Sequence, residues 1–261
     1  MHVIDFHAHG FPEKIADRAV ENLENHYKVR ISHGGRISDL MYHAKEGEIE
    51  HLVLSSAATK PEAVKVNNDW VASVAAQYPR FVTGFGSIHA GFTDFAEELR
   101  RMRSLGLKGI KIHPDFQGFD IDDARMWPIY EEIGEDFIIL FHVGDKISEA
   151  SSPLKLARVL DSFPGLNVVA AHLGGWSRWD EAKEYLLGRE IFIDTSSTFW
   201  CLSKEERAGL MRLHGTDRVL FGTDYPITTQ KQGIEDFLSL PLSETEKDNI
   251  LYNNARQLLN L

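Results

Sequence analysis

The sequence predicts an α/β protein of the (β/α)8 TIM-barrel class, as a single domain over residues 1–261. Short apolar, β-branched runs alternate with amphipathic stretches, and eight such units fit into the 261 residues. Barrels of this class commonly have about 250 residues. Alternating strands and helices favour parallel strands joined by crossover helices. An open doubly wound sheet is the competing fold. It usually has a glycine-rich loop after its first strand, where this sequence has His-Ala-His-Gly.

Each predicted strand is a short apolar segment bounded by polar or turn residues. The eight segments are Val3–Phe6, Leu52–Leu54, Phe81–Ile88, Gly109–His113, Phe137–His142, Asn167–His172, Ile191–Asp194 and Arg218–Thr223. Apolar residues at helical spacing between them predict helices over Pro61–Tyr78, Asp94–Leu105, Ser152–Phe163 and Ser203–His214. The last of these begins with a Ser-Lys-Glu-Glu capping pattern, which favours a helix start.

The connection after the first strand is longer than a βα unit requires. We expect a long helical insertion there, with helices over Pro12–His26 and Arg36–Glu48 and a Gly34-Gly35 turn between them. The segment Ser243–Leu261 predicts a final amphipathic helix that closes the barrel.

Composition excludes several classes of partner. The formal net charge of −11 disfavours nucleic acid and anionic membranes, which would repel such a surface. No window approaches the roughly 18 apolar residues of a membrane span. The single cysteine, Cys201, allows neither an intrachain disulfide nor a cysteine-rich zinc site. The first residues lack a basic region and a long apolar run, so we expect no signal peptide and a cytoplasmic protein.

Active-site groups of such barrels lie at the carboxyl ends of the strands, and many strands here end in residues that can bind metal or move protons. These residues are His7 and His9, Lys111 and His113, His142, His172, Asp194, and Asp224. Asp194 and the nearby Ser196 are expected only to hydrogen-bond loops.

The arrangement of four of these residues, three histidines and one aspartate, predicts a metal site. Side chains alternate along a strand, so His7 and His9 share a face and can reach one ion at about 2.0–2.1 Å. His142 and Asp224 would complete the set, because strand eight lies beside strand one in a closed barrel. Singly, each has an ordinary alternative, such as a polar residue at the rim or a turn cap. Their coincidence at one rim favours a metal.

Several segments in this order resemble the amidohydrolase superfamily, in the branch of aminocarboxymuconate-semialdehyde decarboxylase and the amidohydrolase 2 proteins. They are Ile4–His9, Gly109–Pro114, Phe141–Gly144, Ala171–Gly175, Leu220–Pro226 and Asn253–Leu259. The resemblance implies that His7, His9, His142 and Asp224 bind one divalent ion, usually zinc. Manganese and iron are alternatives, because availability as well as affinity decides occupancy. It also implies an acid/base role for His172.

Other residues near the predicted metal site are candidates to bind the substrate. Lys111 and His113 share a strand face and can both point at the site. Some superfamily members carboxylate a lysine at this position to bridge two metals. This branch is mostly mononuclear, so we do not expect a second ion at Lys111. Arg36 and Arg178 are candidates to anchor a substrate carboxylate, and Trp176 to form an apolar wall.

The sequence therefore predicts a metal-dependent hydrolase of a small carboxylate-, amide- or lactone-bearing metabolite. A metal-activated water would be the nucleophile, and Asp224 and His172 would move its proton. The alternative is a non-oxidative decarboxylase or hydratase, a lyase using the same site. A catalytically inactive binding barrel is a third reading, against which the retention of all four ligands argues. We expect a small-molecule substrate and, by family analogy, a homodimer.

Overall fold

The computed structural model describes residues 1–261 and confirms the eight-stranded barrel. Strands follow one another in chain order, and each pairs in parallel with the next. The strands are β1 (Ile4–His9), β2 (His51–Ser55), β3 (Val82–Ser87), β4 (Gly109–Ile112), β5 (Ile138–Phe141), β6 (Asn167–Ala170), β7 (Phe192–Asp194) and β8 (Val219–Leu220). The segment after β8 closes the barrel, because Phe6 N donates to Phe221 O at 2.9 Å and Asp224 N donates to His7 O at 2.7 Å.

Twelve α-helices surround and extend the barrel. They are α1 (Ala16–Tyr27), α2 (Ile37–Glu46), α3 (Val64–Gln77), α4 (Phe95–Ser104), α5 (Pro114–Gln117), α6 (Trp127–Ile133), α7 (Pro153–Ser162), α8 (Trp179–Tyr185), α9 (Lys204–His214), α10 (Gln230–Leu238), α11 (Glu244–Asp248) and α12 (Asn254–Leu259). The predicted helical insertion after the first strand is present as α1 and α2. No helix combines the length and apolar character that crossing a membrane requires.

The helix predictions erred mainly by omission. Helices α5, α6, α8 and α10 were not predicted; α5 has four residues, and α6 and α8 have seven each. The final segment is helical from Glu244 to Leu259 as predicted, with a π-helical turn at Asn249–Asn253 between α11 and α12. It closes the end of the barrel, since Ala255 and Leu259 of α12 pack with Ile4 and Leu220.

Apolar side chains form two layers. The smaller layer fills the barrel, with Phe6, Phe85 and Leu140 among its members. The larger layer lies between strands and helices and takes alternate residues of the same strands, such as Ile139 and Phe141. Alternate side chains of each strand thus point into the barrel and toward the helices, and both sets are apolar, as expected when helices cover a parallel sheet.

One irregularity in β1 positions the functional residues. Asp5 pairs with Leu52 and Ala8 pairs with Leu54, so β1 uses one more residue than β2 between the same two rungs. Such a bulge turns successive side chains to the same side. Phe6 therefore joins the barrel interior while the next residue, His7, also points inward.

Candidate metal centre and active site

His7, His9 and Asp224 converge at the carboxyl end of the barrel. The Nε2 atoms of His7 and His9 lie 3.1 Å apart. Asp224 Oδ1 lies 3.5 Å from His7 Nε2 and 3.1 Å from His9 Nε2. The opposite nitrogens have acceptors: His7 Nδ1 donates to Asp194 at 2.8 Å, and His9 Nδ1 donates to the carbonyl of Ser55 at 3.0 Å. These acceptors assign the proton of each ring to Nδ1. The lone pairs of the two Nε2 atoms therefore face one another and the Asp224 carboxylate. Three acceptors facing each other are the donor set of a divalent cation.

Burial sets the charges that such a site needs. It lowers the pKa of His7 to about 4, an effect that nearby Lys111 reinforces and Asp194 opposes. Burial also lowers the pKa of His142 and of His172. Burial by itself raises the pKa of Asp224, but the surrounding histidines, His7 first, outweigh this and hold it well below its usual range. At neutral pH His7, His142 and His172 are therefore neutral and Asp224 is ionised, the charge states in which imidazoles and carboxylates bind a metal.

His142 and His172 form a second histidine pair beside this group. His172 Nε2 lies 2.9 Å from His142 Nδ1, and its own Nδ1 faces the carbonyl of Ser196 at 3.1 Å. Both imidazoles line a narrow cavity of about 10 Å³, roughly one water, together with Asp224. The four predicted ligands thus lie at one end of the barrel, although only His7, His9 and Asp224 contact each other directly.

Strand β4 contributes Lys111 and His113, as the sequence predicts. The Lys111 side chain is fully buried, its Nζ donates to His7 Nε2 at 2.9 Å, and burial lowers its pKa to about 8. An ammonium group with that pKa stays largely protonated at neutral pH. His113 stacks on His142 with ring centroids 4.0 Å apart, and its Nε2 accepts from the Tyr27 hydroxyl at 2.8 Å.

Asp194 has a larger role than the sequence indicated. Its two oxygens accept from His7 Nδ1, from the backbone nitrogens of His172 and Ser196, and from the Ser196 hydroxyl, at 2.5–3.0 Å. It contacts side chains at the site rather than only loops. Its position at the end of β7 was the available signal, but its partners His7 and His172 come from the ends of β1 and β6.

Left-handed backbone conformations cluster at the same rim. His172, Ser197 and Asp224 have φ of 61°, 54° and 58°, values that residues with a Cβ atom rarely adopt. Ser197 Oγ donates to Asp224 Oδ2 at 2.5 Å. Such strain persists where surrounding structure holds it, commonly at functional sites.

A cavity of about 140 Å³ opens beside the candidate ligands. It is lined by Phe11, Asn22, His113, Phe116 and neighbouring residues, with His9 and Lys111 at its inner end. Trp176, 6% exposed, lines the narrow cavity together with Tyr27, whose ring it contacts edge to face. Tyr27 comes from the inserted helix α1, and no sequence pattern pointed to it.

The two arginines predicted as carboxylate anchors are engaged elsewhere. Arg36 pairs with Asp17 and Glu13 on the inserted segment. Arg178 pairs with Glu149 and Glu181. Neither arginine lines either of the two cavities beside the candidate metal ligands. The structure therefore does not bring these arginines to the site, because acidic neighbours on the outer helices and loops compete for them.

A family model described as amidohydrolase matches residues 4–261. The chain belongs to the amidohydrolase family, in its amidohydrolase 2 branch. The predicted resemblance is confirmed.

Relatives of this amidohydrolase include two curated proteins. One is 2-amino-3-carboxymuconate-6-semialdehyde decarboxylase of Dictyostelium discoideum, 27% identical over 74% of this chain and 65% of the relative, so just under two thirds of that relative is matched. The other is decarboxylase orsB of Emericella nidulans, 28% identical over 82% of each chain. A dihydroxybenzoic acid decarboxylase from Polaromonas sp. JS666, solved with manganese and 2-nitroresorcinol, has a TM-score of 0.76. It is 19% identical and covers 100% of this chain and 97% of its own.

Proposed function

We propose that this amidohydrolase is a metal-dependent decarboxylase of a small aromatic or unsaturated carboxylic acid. The observation that carries the proposal is the buried ammonium of Lys111 beside the convergent His7, His9 and Asp224. The names of both curated relatives support it. It corresponds to the alternative drawn from the sequence. The hydrolase that the sequence favoured has no support from these relatives and stays a prediction.

His7, His9, His142 and Asp224 would hold one divalent ion. Three imidazoles and a carboxylate suit zinc, manganese or iron, and the protein with bound manganese among the structural neighbours is consistent with such an ion. When bound, the ion supplies a Lewis acid that stabilises negative charge on the substrate. We propose one ion and a Lys111 that is not carboxylated.

The cavity beside the ligands fits a substrate of one ring. Its volume of about 140 Å³ is close to that of an engineered protein cavity, about 150 Å³, that binds benzene. Phe11 and Phe116 would contact the apolar face of the substrate. The Lys111 ammonium would pair with an anionic oxygen of the substrate, the role first assigned to Arg36.

Decarboxylation breaks the bond between the carboxylate and the adjoining carbon, and that carbon takes a proton as carbon dioxide leaves. His172 and Asp224 line the narrow cavity next to the substrate cavity, and Asp224 lies 3.1 Å from His9, which lines the substrate cavity. These two residues are the groups that would carry the proton. The Ser196 carbonyl accepts from Nδ1–H of His172, which leaves Nε2 to take up a proton and to release it toward the cavity.

Product analysis tests the proposal. Protein loaded with zinc or manganese would be incubated with a panel of aromatic and unsaturated acids and, separately, with amides and lactones. We expect one carbon dioxide per acid consumed and, in heavy water, one deuterium at the carbon that lost the carboxylate. Turnover of an amide or lactone, with no carbon dioxide from any acid, would replace the decarboxylase with the hydrolase.

A further inference from the structure

Asp115, His113 and His142 form a buried cluster behind the candidate metal ligands. Asp115 Oδ2 lies 3.9 Å from both His113 Nδ1 and His142 Nε2. Only 1% of the Asp115 side chain is exposed, and its nearest donors besides the two rings are the hydroxyls of Ser148 and Ser151 and its own backbone, none of them in good hydrogen-bond geometry. The two imidazole nitrogens that face it have no hydrogen-bond partner. Buried polar atoms are almost always hydrogen-bonded, so two unpartnered imidazole nitrogens facing one carboxylate indicate an interaction that is completed in another state of the site.

The ring geometry disfavours a second cation in this cluster. His113 and His142 are stacked with centroids 4.0 Å apart and planes 8° from parallel. Imidazole lone pairs lie in the ring plane, so those of two parallel rings do not converge. An ion between the rings would lie outside both planes. A carboxylate has two oxygens and can accept one N–H from each ring, which suits this arrangement.

The tautomer of His142 decides whether its Nε2 carries a proton. His172 Nδ1–H donates to the Ser196 carbonyl, so His172 Nε2 accepts and His142 Nδ1 donates to it at 2.9 Å. In that state Nε2 of His142 carries no proton and has nothing to offer Asp115. The Nδ1 side of the His142 ring faces His172, whose ring centroid is 5.4 Å from that of His7, whereas Nε2 faces Asp115. Nδ1 is therefore the nitrogen that would bind the metal, and binding needs its lone pair. The proton must then sit on Nε2.

We propose that Asp115 is a positioning residue: its carboxylate accepts a hydrogen bond from Nε2–H of His142 and holds that imidazole in the tautomer whose Nδ1 binds the metal. The inference rests on the metal assignment proposed above and deepens it. A movement of about 1 Å would bring the 3.9 Å contact to hydrogen-bond length. Carboxylate–histidine–metal arrangements of this kind orient the ligand and raise its basicity.

The same carboxylate connects the metal side to the substrate cavity. His113 accepts from the Tyr27 hydroxyl at Nε2, so its proton is on Nδ1, facing Asp115. The second oxygen of Asp115 is free to accept it. Asp115 thus holds the proposed ligand His142 and, through His113, the hydroxyl of Tyr27, a residue that lines the narrow cavity.

Metal affinity of purified apoprotein tests the proposal, measured by zinc titration against a chromogenic chelator. We expect Asp115→Leu, which removes the acceptor and keeps the branching of the side chain, to weaken zinc binding by roughly 10- to 100-fold. Asp115→Asn keeps one acceptor oxygen and should lose less. Asp145→Asn is the matched control, because Asp145 is another buried carboxylate that accepts from a histidine, His26, at 2.8 Å. It should bind zinc within about twofold of wild type.

Melting temperatures and nitrogen-15 chemical shifts distinguish a positioning role of Asp115 from a purely structural one. Apo Asp115→Leu should melt close to apo wild type, since no hydrogen bond of good geometry holds this carboxylate in the apoprotein, whereas a purely structural role predicts a clearly lower melting temperature. Nitrogen-15 shifts should place the His142 proton on Nε2 in zinc-loaded wild type. Zinc binding by Asp115→Leu as tight as by wild type would overturn the inference, as would two ions per chain. Wild type that binds zinc but decarboxylates nothing would overturn only the proposed reaction.

Discussion

His7 donates a hydrogen bond from Nδ1 to Oδ2 of Asp194 across 2.8 Å, and neither side chain is exposed to solvent. The bond joins the first strand of the barrel to the seventh and fixes the tautomer of His7. Its free nitrogen, Nε2, then faces His9 and Asp224. The proposed metal ligand is therefore oriented by a residue outside the proposed ligand set.

Replacing Asp194 should weaken metal binding without removing a ligand. We expect Asp194→Asn to lower zinc affinity by roughly 10- to 100-fold, because an amide can donate to His7 Nδ1 and so favour the wrong tautomer. Chelator competition on the purified variant measures this. The control is Asp217→Asn at a largely exposed carboxylate, which should match wild type. Equal affinity in Asp194→Asn would mean that His7 needs no orientation by this bond.

Metal binding should stabilise the barrel strongly. The apoprotein holds His7, His9 and Asp224 with acceptor atoms facing each other, and a cation that binds only the folded state removes this repulsion. At a thousandfold excess over the dissociation constant the gain is about 4 kcal/mol, or roughly 10 °C in melting temperature. Scanning calorimetry with zinc, manganese and iron(II) measures it. A melting temperature that no metal changes would contradict the metal site.

Removal of His142 and of His172 should give different defects. His142→Ala deletes a proposed ligand, so metal content and turnover should both collapse. His172→Ala should keep the metal nearly intact and lower turnover by roughly 10²- to 10⁴-fold, the usual contribution of an acid/base group. Metal analysis of the two purified variants, beside single-turnover rates, separates the roles. Equal metal loss in both would make His172 a ligand.

Lys111 and Arg36 should differ sharply as substrate anchors. Lys111→Met removes a buried ammonium from the inner end of the substrate cavity, and losing a hydrogen bond to a charged group costs about 2 kcal/mol, or roughly 30-fold in kcat/KM. Arg36→Met only breaks pairs with exposed Asp17 and Glu13 and should change kcat/KM by about twofold at most. Steady-state kinetics on the best acid of the panel compares them. A larger defect in Arg36→Met would restore the arginine as the anchor.

His214 should make the fold less stable in acid. Its Nε2–H donates to the Ile191 carbonyl and its Nδ1 accepts from Gly188 N, so the folded state holds it neutral. Burial lowers its pKa to about 4. Between pH 6.5 and 4 the unfolded chain binds a proton that the folded chain does not, so stability falls as pH falls, by about 3 kcal/mol in total.

Urea unfolding at pH 7 and pH 4.5 measures the effect of His214, with His214→Gln as the reference because glutamine does not titrate. The wild type should lose more stability than the variant over this interval. Burial raises the pKa of Asp5 to about 6, which acts in the opposite direction, but Asp5 is common to both proteins and cancels in the comparison. Equal pH dependence in the two would show that His214 does not titrate as proposed.

The barrel, and the end of it that carries the candidate site residues, can be predicted from the sequence alone. Apolar runs of strand length alternating with helical periods require parallel strands, and parallel strands bring their carboxyl ends to one rim. His7, His9, His142 and Asp224 could therefore be assigned to a common end from spacing alone. The structure places them there, while their role as ligands stays a prediction.

Which atoms of the site side chains contact each other is known only from the tertiary structure. Periodicity gives the face and the end of a strand, but not a bulge between Asp5 and Ala8 or a partner far away in the chain. Asp194 meets His7 across 187 positions, and Tyr27 meets His113 across 86. Arg36 was assigned to the substrate because its local acidic partners could not be weighed from the sequence. Hydrogen bonds and ion pairs depend on distances of a few ångströms, and packing sets those distances.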